Sequence, residues 1–309
     1  MRRGVLVFEC VTLLLGAMIS CSEPIKVHTR EMDRTYLVVE GLITDQPTLE
    51  QYVKLSVSVP YMSAITEVPA VGEAEVVVSD GTTDYLFEEQ ENTGVYRAPE
   101  GFYARSGRKY SLSVRATVDG EPHQYGAEAQ LPDIACNLEK IDYSYNGKTQ
   151  QKMDSLWTVL MWGRDYAAVD GIYLVRLGVN GHRQPIGSSL MMEDKYFNGK
   201  RIEAFPVGLL LQTNENYKKY GESAKFLEEG DVLTADVYIL SREYYSFIAK
   251  IQGDGGGTNN MPLMSSQPAN PPTNLTGDGD VMGFFGACAV VSASCTVSDP
   301  FQTINYQSQ

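Results

Sequence analysis

The amino-acid sequence predicts a mainly β protein with two sandwich-like domains. Three observations support this fold class: short runs in which apolar and polar residues alternate, turn signals between those runs, and a restart of the pattern after residue 132. The chain has 309 residues, of which 43% are hydrophobic. This composition is typical of a globular protein, and the length suits about two domains, each with its own core.

The first predicted domain covers residues 35–132 and contains about seven short strands. Residues 51–59 alternate most clearly between apolar and polar side chains, which is typical of a strand with one face toward solvent. Asp80-Gly81 and Asp119-Gly120 each separate two such runs, and this dipeptide tolerates the positive φ angles of a tight hairpin. The spacing indicates an antiparallel sandwich of immunoglobulin-like or transthyretin-like type.

The second predicted domain covers residues 133–309 and includes a short helix as well as strands. Helical spacing of Tyr244, Phe247 and Ile248 after a capping Ser241 predicts that helix. Residues 253–283 are rich in Gly, Pro, Asn and Asp, which predicts a long loop. The predicted strands of this domain are 141–145, 156–162, 171–177, 232–240 and a last one at 283–291.

Residues 1–20 are predicted to be a lipoprotein signal peptide. The basic pair Arg2-Arg3 precedes a mostly apolar segment, 5–19, which is shorter than the about 20 residues that span a membrane. The four residues that end at Cys21 resemble a bacterial lipobox, in which the cysteine is lipidated. We therefore predict a lipid anchor on Cys21 and a polar tether at 21–34. The alternatives are a plain soluble secreted protein, or Cys21 as a structural thiol.

The charge balance excludes one broad class of partner. The 39 acidic residues outnumber 25 basic ones and give a formal charge of −14, whereas nucleic-acid binding needs clustered Lys and Arg. Three His and five Cys offer few ligands for a His- or Cys-based metal site, and no cofactor is predicted. Asp254, Asp278 and Asp280 would suit Ca²⁺, but they lack EF-hand spacing, and solvated turns are the simpler interpretation.

No catalytic residue is predicted from the sequence. A Gly-x-Ser-x-Gly motif is absent, and His28, His123 and His182 have no motif around them. A pair of carboxylates could serve glycoside hydrolysis, but with 39 acidic residues such pairs arise by chance. We therefore predict that the chain is not an enzyme, and a carboxylate-dependent hydrolase is the least favoured alternative.

Two cysteines near the end of the chain form a candidate disulfide. If Val291-Ser292 turned a tight hairpin, Cys288 and Cys295 would face each other, and an exported compartment would permit their oxidation. Two free thiols are the alternative, which the sequence leaves open. Cys136 would then remain single, and we predict that it is buried as a small apolar residue.

The aromatic content is dominated by tyrosine, with 19 Tyr against 10 Phe and 2 Trp. Exposed Tyr and Trp can stack on sugars or anchor a protein partner, although in strands they also fill the sheet surface. Trp157 and Trp162 have opposite parity, so a regular strand sends them to different faces. At most one of them could join a binding platform, and core packing is predicted for each.

Short segments spread in order over the whole mature chain carry a resemblance to a known family. They include the lipobox at Cys21, Leu37–Asp45, Gly107–Leu112, Asp194–Gly199, Pro271–Gly277 and Gly283–Gly286. Together they resemble the Bacteroidota lipoproteins of the domain-of-unknown-function (DUF) 4249 family. This resemblance implies an outer-membrane lipoprotein, often accompanied by a TonB-dependent transporter, and it implies no activity.

The expected function follows from the anchor, the β-rich body and the resemblance. We expect an outer-membrane lipoprotein, held by lipid on Cys21, that is an accessory or ligand-capture partner of a TonB-dependent transporter. The alternative is a carbohydrate- or peptide-binding module that works alone at the cell surface. The ligand, the transporter and the face of the membrane stay open.

Overall fold

A computed structural model describes residues 35–59, 68–148, 155–167, 171–186, 189–211, 227–254 and 272–305. These residues form sixteen strands, one α-helix and one 3₁₀ turn. All of them belong to one compact unit. The predicted signal peptide, the predicted tether and Cys21 lie outside the described residues.

Every strand predicted in the first half of the chain is present. The strands are β1 Leu37–Thr44, β2 Tyr52–Val57, β3 Glu75–Ser79, β4 Asp84–Glu89, β5 Val95–Arg97, β6 Lys109–Val118 and β7 Glu121–Gln130. Both predicted hairpins are confirmed, because β3 pairs with β4 and β6 with β7 in antiparallel register. Asp119 and Gly120 have φ angles of 52° and 84°, as a tight turn between twisted strands requires.

The second half contains the predicted strands and four further ones. Its elements are β8 Cys136–Lys148, β9 Ser155–Asp165, β10 Ile172–Val179, β11 His182–Arg183, β12 Leu190–Glu193, the 3₁₀ turn Asp194–Tyr196, β13 Arg201–Leu211, β14 Val232–Ile239, α1 Arg242–Asp254, β15 Leu275–Gly277 and β16 Val281–Thr296. The predicted helix is confirmed, and the hydroxyl of Ser241 caps it by accepting the Tyr244 N–H at 3.2 Å. Of the predicted loop at 253–283, residues 253–254 and 272–283 are described; the first two end α1, and β15 lies in the second part.

The strands form a large mixed sheet and a small antiparallel one, which confirms the mainly β class. The large sheet has the order β11-β10-β14-β16-β1-β2-β5-β4-β3-β6-β7-β15, with β12 also paired to β10. The small sheet has the order β13-β9-β8. Strand β13 is an edge strand, which allows it to contain Pro206 and two register shifts.

Strand β16 connects the two halves of the large sheet. Its first half, Val281–Cys288, pairs with β1 in parallel, and its second half, Ala289–Thr296, pairs with β14 in antiparallel register. The sheet therefore continues across the domain boundary predicted at 132/133. The division into domains 35–132 and 133–309 stays a prediction.

Three apolar clusters lie on the two faces of these sheets. The first is enclosed mainly by β1–β7 and includes Phe285. The second lies between the small sheet and the β10-β14-β16 part of the large sheet. The third lies on the opposite face of β1, β16, β14 and β10, where α1 packs through Tyr244 and Ile248. We call this third surface the helix-covered face.

The structure contradicts the predicted disulfide between Cys288 and Cys295. Cys288 and Cys295 are free thiols on one uninterrupted strand, β16, and the hairpin expected at Val291-Ser292 does not form. Seven positions of extended chain separate their Cα atoms by about 23 Å, whereas a disulfide needs about 4.4–6.8 Å. The third described thiol, Cys136, is free and buried, as predicted.

Candidate functional site

A cleft of about 400 Å³ lies between α1 and the helix-covered face. Its walls come from five elements, β1, β2, β10, α1 and β16, and from residues 185–186. This volume lies within the range of about 300–1,000 Å³ that is typical of small-molecule sites. The cleft is therefore the candidate functional site.

The alternation of side chains along the strands brings the sheet residues of the cleft together. Leu42 of β1 is paired with Tyr52 of β2, and Glu40 of β1 is paired with Phe284 of β16. Paired residues point to the same face of a sheet, and so do residues two positions apart. These four side chains therefore share the helix-covered face and line the cleft.

A cluster of three aromatic rings forms the apolar wall. The ring centroids of Tyr244 and Phe284 are 5.2 Å apart, as are those of Phe247 and Phe284. Tyr244 lies close to the sheet because of Gly286, where a Cβ atom would come within 2.8 Å of the tyrosine ring. Such rings offer a large, rigid apolar surface to a ligand.

Arg176 of β10 is the cationic group of the cleft. Its side chain is half-buried. Its Nε and Nη2 donate to the carbonyl oxygen of Gln184 at 3.0 and 2.9 Å, and its Nη1 donates to the Tyr238 hydroxyl at 3.3 Å. A guanidinium has five N–H donors, so these contacts leave two of them. Within the described ranges, no carboxylate lies at salt-bridge distance from Arg176.

A buried carboxylate near Arg176 is already bound by other groups. Asp236 of β14 is the register partner of Arg176. It is 1% exposed, accepts a hydrogen bond from the Nε of Arg183, and accepts another from the Ser292 hydroxyl at 2.6 Å. The Asp236 carboxylate therefore forms its ion pair with Arg183 and not with Arg176.

Two tyrosine hydroxyls also belong to the site. Burial, and then the nearby Glu40 carboxylate, raise the pKa of Tyr52, and burial raises the pKa of Tyr244 well above its ordinary value. Both phenols are therefore neutral donors at physiological pH. Neither has a hydrogen-bond partner in the described part of the chain. Glu40 is about half exposed and forms a 3.8 Å ion pair with Lys54.

Two other concave regions have different properties. The cavity around Cys136 and Tyr173 holds only about 10 Å³, which is too small for a ligand. Beside it, Tyr173 donates to the buried Asp165, which also accepts the Gly199 N–H at 2.7 Å. These bonds position a loop. A polar groove of about 300 Å³ passes His123, and it has no apolar wall comparable to the aromatic cluster.

Four residues considered in the sequence, Asp278, His123, Trp157 and Trp162, do not line the cleft. Asp278 accepts the Gln124 N–H at 2.9 Å and lies 3.3 Å from His123 Nδ1, so it holds β15 beside β7. Among the described residues, no group of three or more His, Cys, Asp or Glu side chains could hold a metal ion. Trp157 is buried, as predicted, but Trp162 is only half-buried, with the Lys140 ammonium 4.1 Å from its ring centroid.

Three residues of the cleft, Arg176, Tyr52 and Glu40, were not predicted from the sequence. One signal was present: Arg176 interrupts an otherwise apolar strand, Ile172–Val179. A charged residue in a buried strand needs a partner or a function. The convergence of the three residues could not be read locally, because they lie on separate strands.

Fold and site together define a mainly β protein with a ligand-sized, aromatic-walled cleft. The chain belongs to the family described as domain of unknown function, DUF4249, whose model matches residues 22–294. This match confirms the family that the ordered segments predicted. A comparison with curated proteins finds no match to the chain. No helix within the described ranges is both long and apolar enough to cross a bilayer.

Proposed function

We propose that this protein is a lipid-anchored outer-membrane protein that captures a small ligand in the cleft and presents it to a TonB-dependent transporter. The cleft carries the proposal, because it combines a ligand-sized volume, an aromatic wall and a few convergent polar groups. Its walls belong to paired strands and a capped helix, so binding would need little ordering of the chain.

The anchor is supported by the lipobox-like residues that end at Cys21 and by the family match, which starts one residue later. The acidic composition fits this arrangement. A body with a large negative charge is repelled by an anionic membrane surface over about 8–10 Å. The tether at 21–34 would then hold the body away from the lipid, where the cleft can meet its ligand.

Binding is favoured over catalysis by the composition of the cleft. Glycoside hydrolysis uses two carboxylates about 5–10 Å apart, and among the described residues Glu40 is the one carboxylate that lines the cleft. A stand-alone carbohydrate-binding module is the second candidate, and the aromatic wall supports it. Against it, the three rings pack on one another inside a narrow cleft, whereas sugar platforms need an open ring face.

The cleft is tested with a neutral apolar dye, N-phenyl-1-naphthylamine, whose fluorescence rises in apolar sites. We expect saturable binding by the soluble body of the wild-type protein. Ile251 lines the cleft and is 44% exposed, so Ile251→Trp should narrow the cleft and weaken binding at least tenfold without unfolding the protein. Glu243→Gln, on the exposed side of the same helix, is the matched control. Equal binding by the wild type and Ile251→Trp would refute the cleft as the site.

The anchor and the partner are tested in cells. Radiolabelled palmitate should enter the wild-type protein and the Cys10→Ala control, whereas Cys21→Ala should remain unlabelled and leave the membrane fraction. A pull-down from detergent-solubilised membranes should recover a TonB-dependent transporter. Repeated recovery of the protein without any transporter would exclude the proposed partner and leave the cleft result untouched.

A further inference from the structure

We propose that the ligand of the cleft is an amphiphilic monoanion, with an apolar body and one carboxylate that binds Arg176. This inference rests on the proposed function, because it names the chemical class of ligand for the same cleft. It depends on three features of the site: free donors on Arg176, the local charge balance, and the position of the aromatic wall.

The donors of Arg176 match a carboxylate. The Gln184 carbonyl and the Tyr238 hydroxyl hold the guanidinium in place and use three of its five donors. The remaining two are free to donate within the cleft that Arg176 lines. A planar guanidinium binds the two oxygens of a carboxylate with defined geometry, and hydrogen bonds between charged groups are about twice as strong as neutral ones.

The charge balance near Arg176 favours an anion. Its partners, Gln184 and Tyr238, are neutral, so they orient the guanidinium without cancelling its charge. The nearest buried carboxylate, Asp236, is bound by Arg183 and Ser292. The carboxylate that lines the cleft, Glu40, is about half exposed and paired with Lys54, and the Glu50 carboxylate near Arg183 is paired with Arg97. A half-buried cation without a counter-ion attracts an anion more strongly than a fully hydrated one does.

The aromatic wall determines the rest of the ligand. Phe247 and Phe284 line the same cleft as Arg176 and present apolar surface together with Ile248. A fully hydrophilic anion, such as phosphate, would leave this surface in water, whereas an apolar body would bury it at about 25 cal/mol per Å². Tyr52 lines the same cleft, and its phenol is neutral. The site therefore selects for both an apolar body and a single charge.

The test compares two competitors that differ only in charge. Naphthalene-1-acetate and its primary amide, naphthalene-1-acetamide, are titrated against N-phenyl-1-naphthylamine bound to the wild-type protein. We expect the acid to displace the dye at a concentration at least about tenfold lower than the amide, which corresponds to about 1.4 kcal/mol. In Arg176→Gln this gap, taken as the ratio of the acid and amide concentrations within that variant, should fall below about threefold.

Two further variants complete the design. Arg176→Lys keeps the charge but loses the planar fork, so it should retain part of the gap. Arg201→Gln removes an exposed arginine that pairs with Glu139 and Glu203, and it should retain the whole gap. If acid and amide displace the dye from the wild-type protein at the same concentration, the inference that the ligand is an anion is overturned. The binding of the dye itself would still support the cleft as the site. Absence of dye binding overturns both proposals.

Discussion

Arg176 on β10 donates a hydrogen bond to the hydroxyl of Tyr238 on the neighbouring strand β14, over 3.3 Å. The guanidinium carbon lies 5.7 Å from the centroid of the same ring, within the range of a cation–π contact. Together with the Gln184 carbonyl, this contact orients Arg176 on the helix-covered face without neutralising it. The same face holds a second arginine, Arg183, whose charge is balanced by Asp236. Arg183 therefore depends on Asp236 for its counter-charge, whereas Arg176 is held by neutral groups.

Removal of the buried carboxylate is expected to destabilise the protein strongly. Asp236→Ala leaves Arg183 and Ser292 without their acceptor and should lower the free energy of unfolding by about 3 kcal/mol. This value is at the low end for buried pairs because the Arg183 side chain is 29% exposed. Urea denaturation followed by tryptophan fluorescence measures the change.

The control for this prediction is an exposed ion pair. Glu75→Gln breaks the Arg115–Glu75 pair, in which both side chains are more than half exposed, and should cost less than about 1 kcal/mol. A loss for Asp236→Ala as small as that for Glu75→Gln would contradict the stabilising role assigned to the buried pair.

Gly283 is expected to be indispensable for the pairing of β16 with β1. It has a φ of 102°, and a Cβ atom there would lie 2.0 Å from the Val39 carbonyl oxygen. Gly283→Ala should therefore lower the free energy of unfolding by about 3 kcal/mol or more, because it adds a steric clash to backbone strain. Gly120→Ala is the matched control, because its φ is 84° and a Cβ atom there would have no neighbour within 4 Å. Gly120→Ala should lower the free energy of unfolding by only about 1 kcal/mol. Equal urea unfolding midpoints for Gly283→Ala and Gly120→Ala would refute the prediction.

The two tryptophans of β9 are expected to differ in their contribution to stability. Trp157 is 1% exposed, and its indole N–H donates to the Pro300 carbonyl at 2.6 Å. Trp157→Phe should lower the free energy of unfolding by about 2 kcal/mol, because it removes a hydrogen bond and leaves a cavity. Trp162→Phe should lower it by less than about 1 kcal/mol. Thermal unfolding followed by circular dichroism is suitable, since these variants change the fluorescence. Equal losses of stability in the two variants would contradict the prediction that the buried tryptophan contributes more.

The three described cysteines are expected to be unreactive in the native protein. Burial raises the pKa of Cys136 to about 12 and that of Cys295 to about 11, and it raises the pKa of Cys288 as well. Iodoacetamide near pH 8 should therefore modify the native protein slowly and the urea-unfolded protein rapidly. Peptide mapping without reductant should find no Cys288–Cys295 linkage, and a linked peptide would contradict the continuous strand.

The same shifts give a pH dependence of stability with a definite sign. The ordinary thiol pKa is 9.0, so above that pH the unfolded thiols lose protons while the native thiols, whose pKa values are higher, keep theirs. Since the native state then binds more protons, its stability falls as pH rises. The urea midpoint should be lower at about pH 10 than at about pH 8. A urea midpoint that rises between these two pH values would contradict the raised thiol pKa values.

Prediction from the sequence succeeded where the signal is local. The Asp119-Gly120 hairpin and the helix after Ser241 each depend on a few neighbouring residues, and both are confirmed. Strand β13 was not predicted, because Pro206 and two register shifts interrupt its alternation. The disulfide prediction failed because it depended on a hairpin at Val291-Ser292. That pair lies within β16, whose first half pairs with β1 and whose second half, including Val291-Ser292, pairs with β14.

The sequence by itself determined the fold class, the hairpins, the helix and the family, since alternation, turn residues and caps act over a few positions. Only the tertiary structure decided that β16 joins both halves of one sheet and that Arg176 meets Phe284 in a cleft. Asp45, for example, accepts the N–H of Val290, 245 positions away. Such contacts depend on the register of strands brought together by burial of their apolar faces, and no local pattern specifies which distant strand will be the partner.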